Sequence, residues 1–509
     1  MQHLQTSLDQ LLMSTPCEEG TSSSDRQQHI ESMASFIYAS MSASARNYHH
    51  VQHVFDVVET NMQGCPLDAI AVLAVLFHDC VYAHVDEGGL SDAQREKLHG
   101  AVEEVVENGS VRLRIPLPTP KGDCLLAMVQ RIFGIPQHQG DKVQYLDPHN
   151  GQNEYLSAVI AVRALSEVKG VTAVTLVQIA ACIETTIPFR TPDAFELLYT
   201  RMRDVSQAFE LPMTDNDCIQ TVQRATLVAN EDVGGFAFSD HQLFIDRTWS
   251  LLPETNAALR RPSYSIFEFH AAVHKMHQFF LHGLNPQRIF HQFRGVPSTE
   301  RLAQLTQAAE ENVRIGTHYV AAKLIGVAFL SSFAVLTGGD APIQLFMGTT
   351  SSTDNATIGG GKRQSLSLAD RLESPKKRLK VVEATDTEKE SSSATDTSST
   401  DTSNSKTQWS DPEEAEVYKL LTEGRHAETT FDLRKSPLST YFYTVIGDVQ
   451  IRHILELVGD TYPMTCDKAK AFLTQLPRAS VRTVANLMAD VATERREAIL
   501  QVVRDVCGQ

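Results

Sequence analysis

Apolar residues recur at three- and four-residue spacing, or run without interruption, over 68–81, 156–166, 174–185, 218–229, 265–282, 298–315 and 319–336. Residues so spaced fall on one face of a helix, and each stretch is predicted to be helical. Period-two alternation is nearly absent, so strands are not expected. Turn chemistry separates the stretches: Gly109, the Pro116-Leu117-Pro118-Thr119-Pro120 string, Gly140, Pro148-His149-Asn150-Gly151 and Gly234-Gly235. An all-α fold follows.

The stretch from Tyr319 to Thr337 is apolar enough to resemble a membrane span, but Lys323 interrupts it and the uncharged part is shorter than the ~20 residues a bilayer requires. It is expected to be a buried central helix closed by Gly338-Gly339, with no membrane partner. Residues 348–412 are dominated by Ser, Thr, Asp, Gly and Lys and are expected to form a disordered linker, because such composition cannot bury enough apolar surface to offset chain entropy. Residues Met13 to Asp25 have a similar composition, which predicts a flexible tail over 1–27. The expected organisation is therefore that tail, a helical domain with a helical extension over 28–347, the linker, and a C-terminal helical region over 413–509. Helix starts are expected in that last region near Asp411-Pro412 and Cys466-Asp467.

Inside the linker, Lys362-Arg363 and Ser374-Pro375-Lys376-Lys377-Arg378-Leu379-Lys380 form basic clusters. They read either as a nuclear-import signal beside a phosphorylatable Ser-Pro, with an import receptor or kinase acting on 362–380, or as a solvated tether. The net charge of -17 disfavours general nucleic-acid binding and anionic membrane surfaces. Small molecules and proteins are the expected partners. Cysteines are scattered with no CxxC pair, and Met1 to Pro16 lacks a secretory pattern, so a reducing, cytoplasmic setting is expected, with a nuclear one if the basic clusters act.

The chemistry concentrates in Ala74 to Tyr82, where His78-Asp79 interrupts an apolar run, and in the upstream Tyr48-His49-His50-Val51-Gln52-His53. A buried charge costs several kcal/mol unless compensated, and a divalent cation satisfies both a carboxylate and a neutral imidazole. His49 and His53 are four apart and share a face if a helix has begun by Tyr48. His78 and Asp79, as helix neighbours, diverge by roughly 100° and reach one ion only above the groove between them, opposite an imidazole from a second helix. A fourth ligand is expected from a later helix. Asp232 is the best candidate, ahead of Asp204 and Asp240. The competing reading is a hydrogen-bonded structural cluster. A second histidine-rich stretch, His270, His274, His277 and His282, shares one helical face without a completing acid and reads as amphipathic packing.

The pattern Arg46-x-Tyr48-His49-x-x-x-His53 followed by Phe77-His78-Asp79-x-x-Tyr82 resembles the HD superfamily of metal-dependent phosphohydrolases, in its poorly characterised predicted branch. The likeness covers about Arg46 to Asp232, and nothing from Glu413 onward has an assignable relative. It implies an HD-like helical bundle with ligands His53, His78, Asp79 and Asp232, and with Tyr48 and His49 nearby. His84, His99, His138 and His149 occur singly, which favours a mononuclear site. The implied activity is hydrolysis of a small phosphorylated metabolite or nucleotide, in which Asp79 both ligates the metal and orients its water. Arg46 and Arg190 would supply forks to phosphate, and Glu184 a base or further ligand. Ordinary readings stand beside these, a helix-terminal arginine for Arg190 and a capping carboxylate for Glu184. The cofactor is a divalent cation, with Mn, Fe, Co, Ni, Zn and Mg not distinguished. The alternatives are a non-catalytic HD-like scaffold keeping a structural metal, and an HD-type mixed-function oxygenase, which needs further His ligands.

Overall fold

The computed structural model describes residues 1–13, 23–60, 64, 66–86, 89–107, 110–116, 122–135, 146–147, 150–347, 367–373, 409, 411–426 and 431–508. It is all-α apart from one short hairpin. Two compact units are present, Met1–Ser239 with Asn285–Glu310, and Asp240–Leu284 with Glu311–Gln509.

The first unit is built from α1 (Gln2–Met13), α2 (Ser23–Met41), α3 (Val51–Thr60), α4 (Ala69–Phe77), α5 (Asp92–Lys97), the hairpin of β1 (Glu103–Glu107) and β2 (Ser110–Arg114), α6 (Cys124–Ile132), α7 (Gln152–Ser166), α8 (Ala173–Thr185), α9 (Ala194–Ala208) and α10 (Asp215–Asp232). Helix α4 is apolar on all sides, as a core helix must be, and Ala71 to Phe77 are all buried against α7, α8 and α10. Its start is fixed by Asp68, whose carboxylate accepts the Ala71 N–H at 3.0 Å. Tyr155, Leu156 and Val159 of α7, Ile179 and Ile183 of α8, and Val222 and Val228 of α10 complete the core. Each such Leu, Ile or Val contributes roughly 1.5–3 kcal/mol by leaving water.

Several expectations differ from the structure. The tail drawn over 1–27 includes α1, whose Leu4 and Leu8 share a face and are buried in the core on α4. Residues 14–22, where its flexible composition is most marked, lie outside the described residues. The hairpin was not anticipated, because Glu103 to Arg114 mixes charge and valine without clean alternation. Its signal is Asn108-Gly109, a pair favoured in two-residue hairpin turns, though both lie outside the described residues.

In the second unit, the helices expected over 298–315 and 319–336 are one helix, Thr299–Leu336, whose residues from 311 onward belong here. Gly316 does not break it. A Cβ there would lie 2.2 Å from the Phe280 ring, so this glycine serves close packing. The helix's most apolar window is 89% buried. Lys323 is buried too, and its Nζ donates to Asp432 Oδ2 at 2.8 Å and Ser436 Oγ at 3.1 Å. Arg425 Nη1 and Trp249 Nε1 reach the same carboxylate oxygen at 3.0 and 3.1 Å. Residues 413–509 thus do not stand apart as a separate region. They supply the counter-charge for a lysine in the unit's central helix.

The expected starts at Asp411 and near Cys466 are seen, as helices Pro412–Glu423 capped by Asp411 and Cys466–Gln475 capped by Thr465. Of the linker, Leu368–Glu373 forms a helix with Leu368 buried. Lys362-Arg363 and 374–380 lie outside the described residues.

Removing Asp432 strands Lys323 and Arg425 in a dry interior. Asp432→Ala is expected to cost about 3–5 kcal/mol in chemical denaturation followed by tryptophan fluorescence, and a loss below about 1 kcal/mol would contradict this.

Candidate metal centre

Three elements of the first unit end at one point. His53 is the third residue of α3, His78 caps the C-terminus of α4 with Asp79 in the turn beyond, and Asp232 is the last residue of α10. The helices are brought together by their apolar faces, with Val54 and Val57 of α3, Phe77 of α4, and Ala225 and Val228 of α10 all buried. The expected helical placement of His78-Asp79 is replaced by a tighter one. Helix α4 ends at Phe77, and the His78 Nδ1 lies 2.7 Å from the Val75 carbonyl. That contact places the proton on Nδ1 and turns Nε2 toward the centre. Likewise α3 starts at Val51, so Tyr48 and His49 precede the helix.

His53 Nε2 and His78 Nε2 lie 3.0 and 3.1 Å from Asp232 Oδ1, and 3.9 and 3.1 Å from Asp79 Oδ2. The ligand atoms of His53, His78 and Asp79 all fall within 4.8 Å of one another, in a buried group that could hold a metal ion; Asp232 is not in that group and adjoins it through its contacts with the two imidazoles. Tetrahedral bonds of about 2.0–2.2 Å place neighbouring ligand atoms roughly 3.4 Å apart, and the observed separations bracket that value. Asp79 Oδ2 accepts no hydrogen bond although it is buried and close to His78. A buried carboxylate oxygen left without a hydrogen bond is suited to a cation.

Burial disfavours charge on His78, yet the Asp79 and Asp232 carboxylates outweigh it and raise the imidazole well above its usual range. Burial also pushes Asp79 and Asp232 up, and the facing imidazoles, His78 foremost, bring both far below the usual carboxylate range.

Arg46 does not offer a fork to phosphate. Its fully buried guanidinium donates from Nε and Nη2 to Asp86 at 2.7 and 2.6 Å, and from Nη1 to the Asp79 carbonyl at 2.6 Å. It is a clamp on the 79–86 segment, completed by Gln94 Nε2 donating to the Cys80 carbonyl at 2.7 Å.

Glu184 and Arg190 pair with each other at 2.6 Å, and Arg201 reaches the same Glu184 oxygen at 3.2 Å. Glu184 is thus a buried carboxylate held by two arginines and stands outside the metal group.

Tyr48 and His49 do lie beside the ligands, their rings 5.0 and 5.8 Å from that of His53. Tyr82 stacks near His49 at 4.4 Å and near His84 at 4.5 Å. The rival carboxylates have other partners: Asp204 pairs with Arg131, and Asp240 caps helix His241–Ser250 and meets His426. In the second unit, His270 bonds Thr461 Oγ1 at 3.0 Å, and burial pushes His270 and His277 down to about 3 and about 4, as suits neutral packing residues.

Sequence reasoning missed Asp86 and Glu154. Glu154, in the first turn of α7, is a half-buried residue whose Oε2 is buried and whose carboxyl is acted on by Asp79, His78 and Asp232. No family model, curated protein or solved structure matches the chain.

The full chain is expected to bind one equivalent of divalent metal, and His78→Ala or Asp79→Ala to bind none, by elemental analysis. Arg46→Ala is expected to weaken metal binding by about 10–100-fold, since the clamp orients a ligand. A metal must displace the proton that the raised His78 retains, so affinity is expected to rise as pH increases above 6.5. A pH-independent affinity would contradict that assignment.

Proposed function

We propose that the chain is a metal-dependent phosphohydrolase of the HD type, acting on a small phosphorylated metabolite or nucleotide. The observation that carries this reading is the convergence of His53, His78, Asp79 and Asp232, in the chain order His, His-Asp, Asp, on one buried point. A divalent cation bound there supplies Lewis acidity and lowers the pKa of a water toward about 7.

The chain's own groups do the positioning. Val75 fixes the His78 ring, and Arg46 with Asp86 fixes the backbone of Asp79, whose Oδ2 faces the centre and orients the attacking water. Tyr48, His49 and Tyr82 are partly exposed and His84 is exposed, and their rings lie beside His53 or one another. Glu184, Arg190 and Arg201 brace the α8 end in this reading.

The test is phosphate release by the metal-loaded full chain from a panel of phosphate monoesters and nucleotides. Metal-dependent release that falls at least about 100-fold in Asp79→Ala is expected, while Glu184→Gln lowers thermal stability and leaves metal content unchanged. A fully loaded protein that hydrolyses nothing on the panel would refute the activity.

A further inference from the structure

Glu154 carries a buried oxygen that no described residue satisfies: among these its Oε2 makes no hydrogen bond. The helix turn that holds it is docked on the segment following the candidate ligands. Asn153 Oδ1 accepts the Ala83 N–H at 3.1 Å, and Ser157 Oγ accepts the Val81 N–H at 3.0 Å. Asn153 and Ser157 share one face of α7, and Glu154 adjoins that face. Asp79, His78 and Asp232, three of the candidate ligands themselves, lie near enough to act on its carboxyl electrostatically. Yet Glu154 stands outside the group whose ligand atoms meet. A half-buried carboxyl group beside such a centre, with one oxygen buried and unused, is suited to carrying a proton.

We propose that Glu154 is the proton-transfer residue of this centre, taking a proton from the attacking water and delivering it to the departing oxygen of a phosphate ester. This rests on the phosphohydrolase reading. In the step, the water oxygen forms the new P–O bond and its proton passes to Glu154 Oε2. The P–O bond to the leaving group then breaks with its electron pair on the departing oxygen, which takes that proton, so the carboxylate is regenerated and no redox partner is needed. Burial pushes the Glu154 carboxyl up to about 7. Asp79 and Asp232 add to the rise, while a backbone N–H and His78 oppose it.

The test compares wild type, Glu154→Gln, Glu154→Asp and Asp79→Ala as full chains reconstituted with Mn²⁺. Bound metal is measured by elemental analysis, p-nitrophenyl phosphate hydrolysis is followed across the neutral pH range, and carboxyl infrared bands are recorded in parallel. Glu154→Gln is expected to keep its metal, lose about 10²–10⁴-fold in rate and lose a limb of the pH profile that wild type shows, with partial recovery in Glu154→Asp. Asp79→Ala is expected to lose metal and rate together. An unchanged rate and pH profile in Glu154→Gln, or metal loss matching Asp79→Ala, overturns the assignment. If wild type itself leaves the ester intact, the phosphohydrolase reading fails on its own, and the infrared difference between wild type and Glu154→Gln decides the rest. A protonated-carboxyl band that wild type shows and Glu154→Gln lacks keeps Glu154 as the proton-holding group of the centre, and its absence overturns that too.

Discussion

A pair of carboxylates and a pair of imidazoles, almost wholly withdrawn from water, face one another without enough hydrogen bonds to satisfy them. Desolvated charge of this kind is among the most expensive things a fold can keep, and it persists where a cation or protons compensate it. The surrounding arrangement in the first unit follows from that constraint. Helices α3, α4 and α10 present their ends rather than their middles to the centre, which lets His78, Asp79 and Asp232 approach from turns and termini, where side chains have freer directions than on a regular face.

The support for the ligands is graded. The Val75 carbonyl orders one imidazole, the Arg46–Asp86 pair holds the chain at Asp79, and the first turn of α7 closes over the segment that follows. Such outer contacts set ligand basicity and orientation, so a centre stripped of them would keep its residues and lose its geometry. The second unit applies the same physics to a structural end. Lys323, Arg425, Trp249 and Asp432 form a buried polar network whose value depends on complete pairing.

The helical class was legible because apolar spacing reports burial directly, and α7, α8 and α10 lie close to where their periodicity places them. His78-Asp79 was legible because a charged pair inside an apolar run has few inexpensive explanations. Other features depend on contacts distant in sequence. Arg46 close to the first ligands reads as an anion fork, but its partner Asp86 lies 40 residues away and gives no local sign. Glu154 reads as an ordinary acid in a first helical turn, favoured there by the helix dipole, and only the docking of α7 shows which groups it faces. The gap expected between 315 and 319 is absent, and the contact that Gly316 there makes room for, the Phe280 ring, is not visible in local sequence. The end of α4 shifted because the His78 ring engages the Val75 carbonyl, a side-chain interaction that hydrophobic periodicity does not contain.

The most direct test of the central claim is an anomalous difference map from crystals of the full chain grown with Mn²⁺ and recorded at the manganese edge. The account predicts one strong peak about 2.0–2.3 Å from the Nε2 atoms of His53 and His78 and from carboxylate oxygens of Asp79 and Asp232. A map without density between those side chains, with the four tips joined to one another through protons alone, would contradict it.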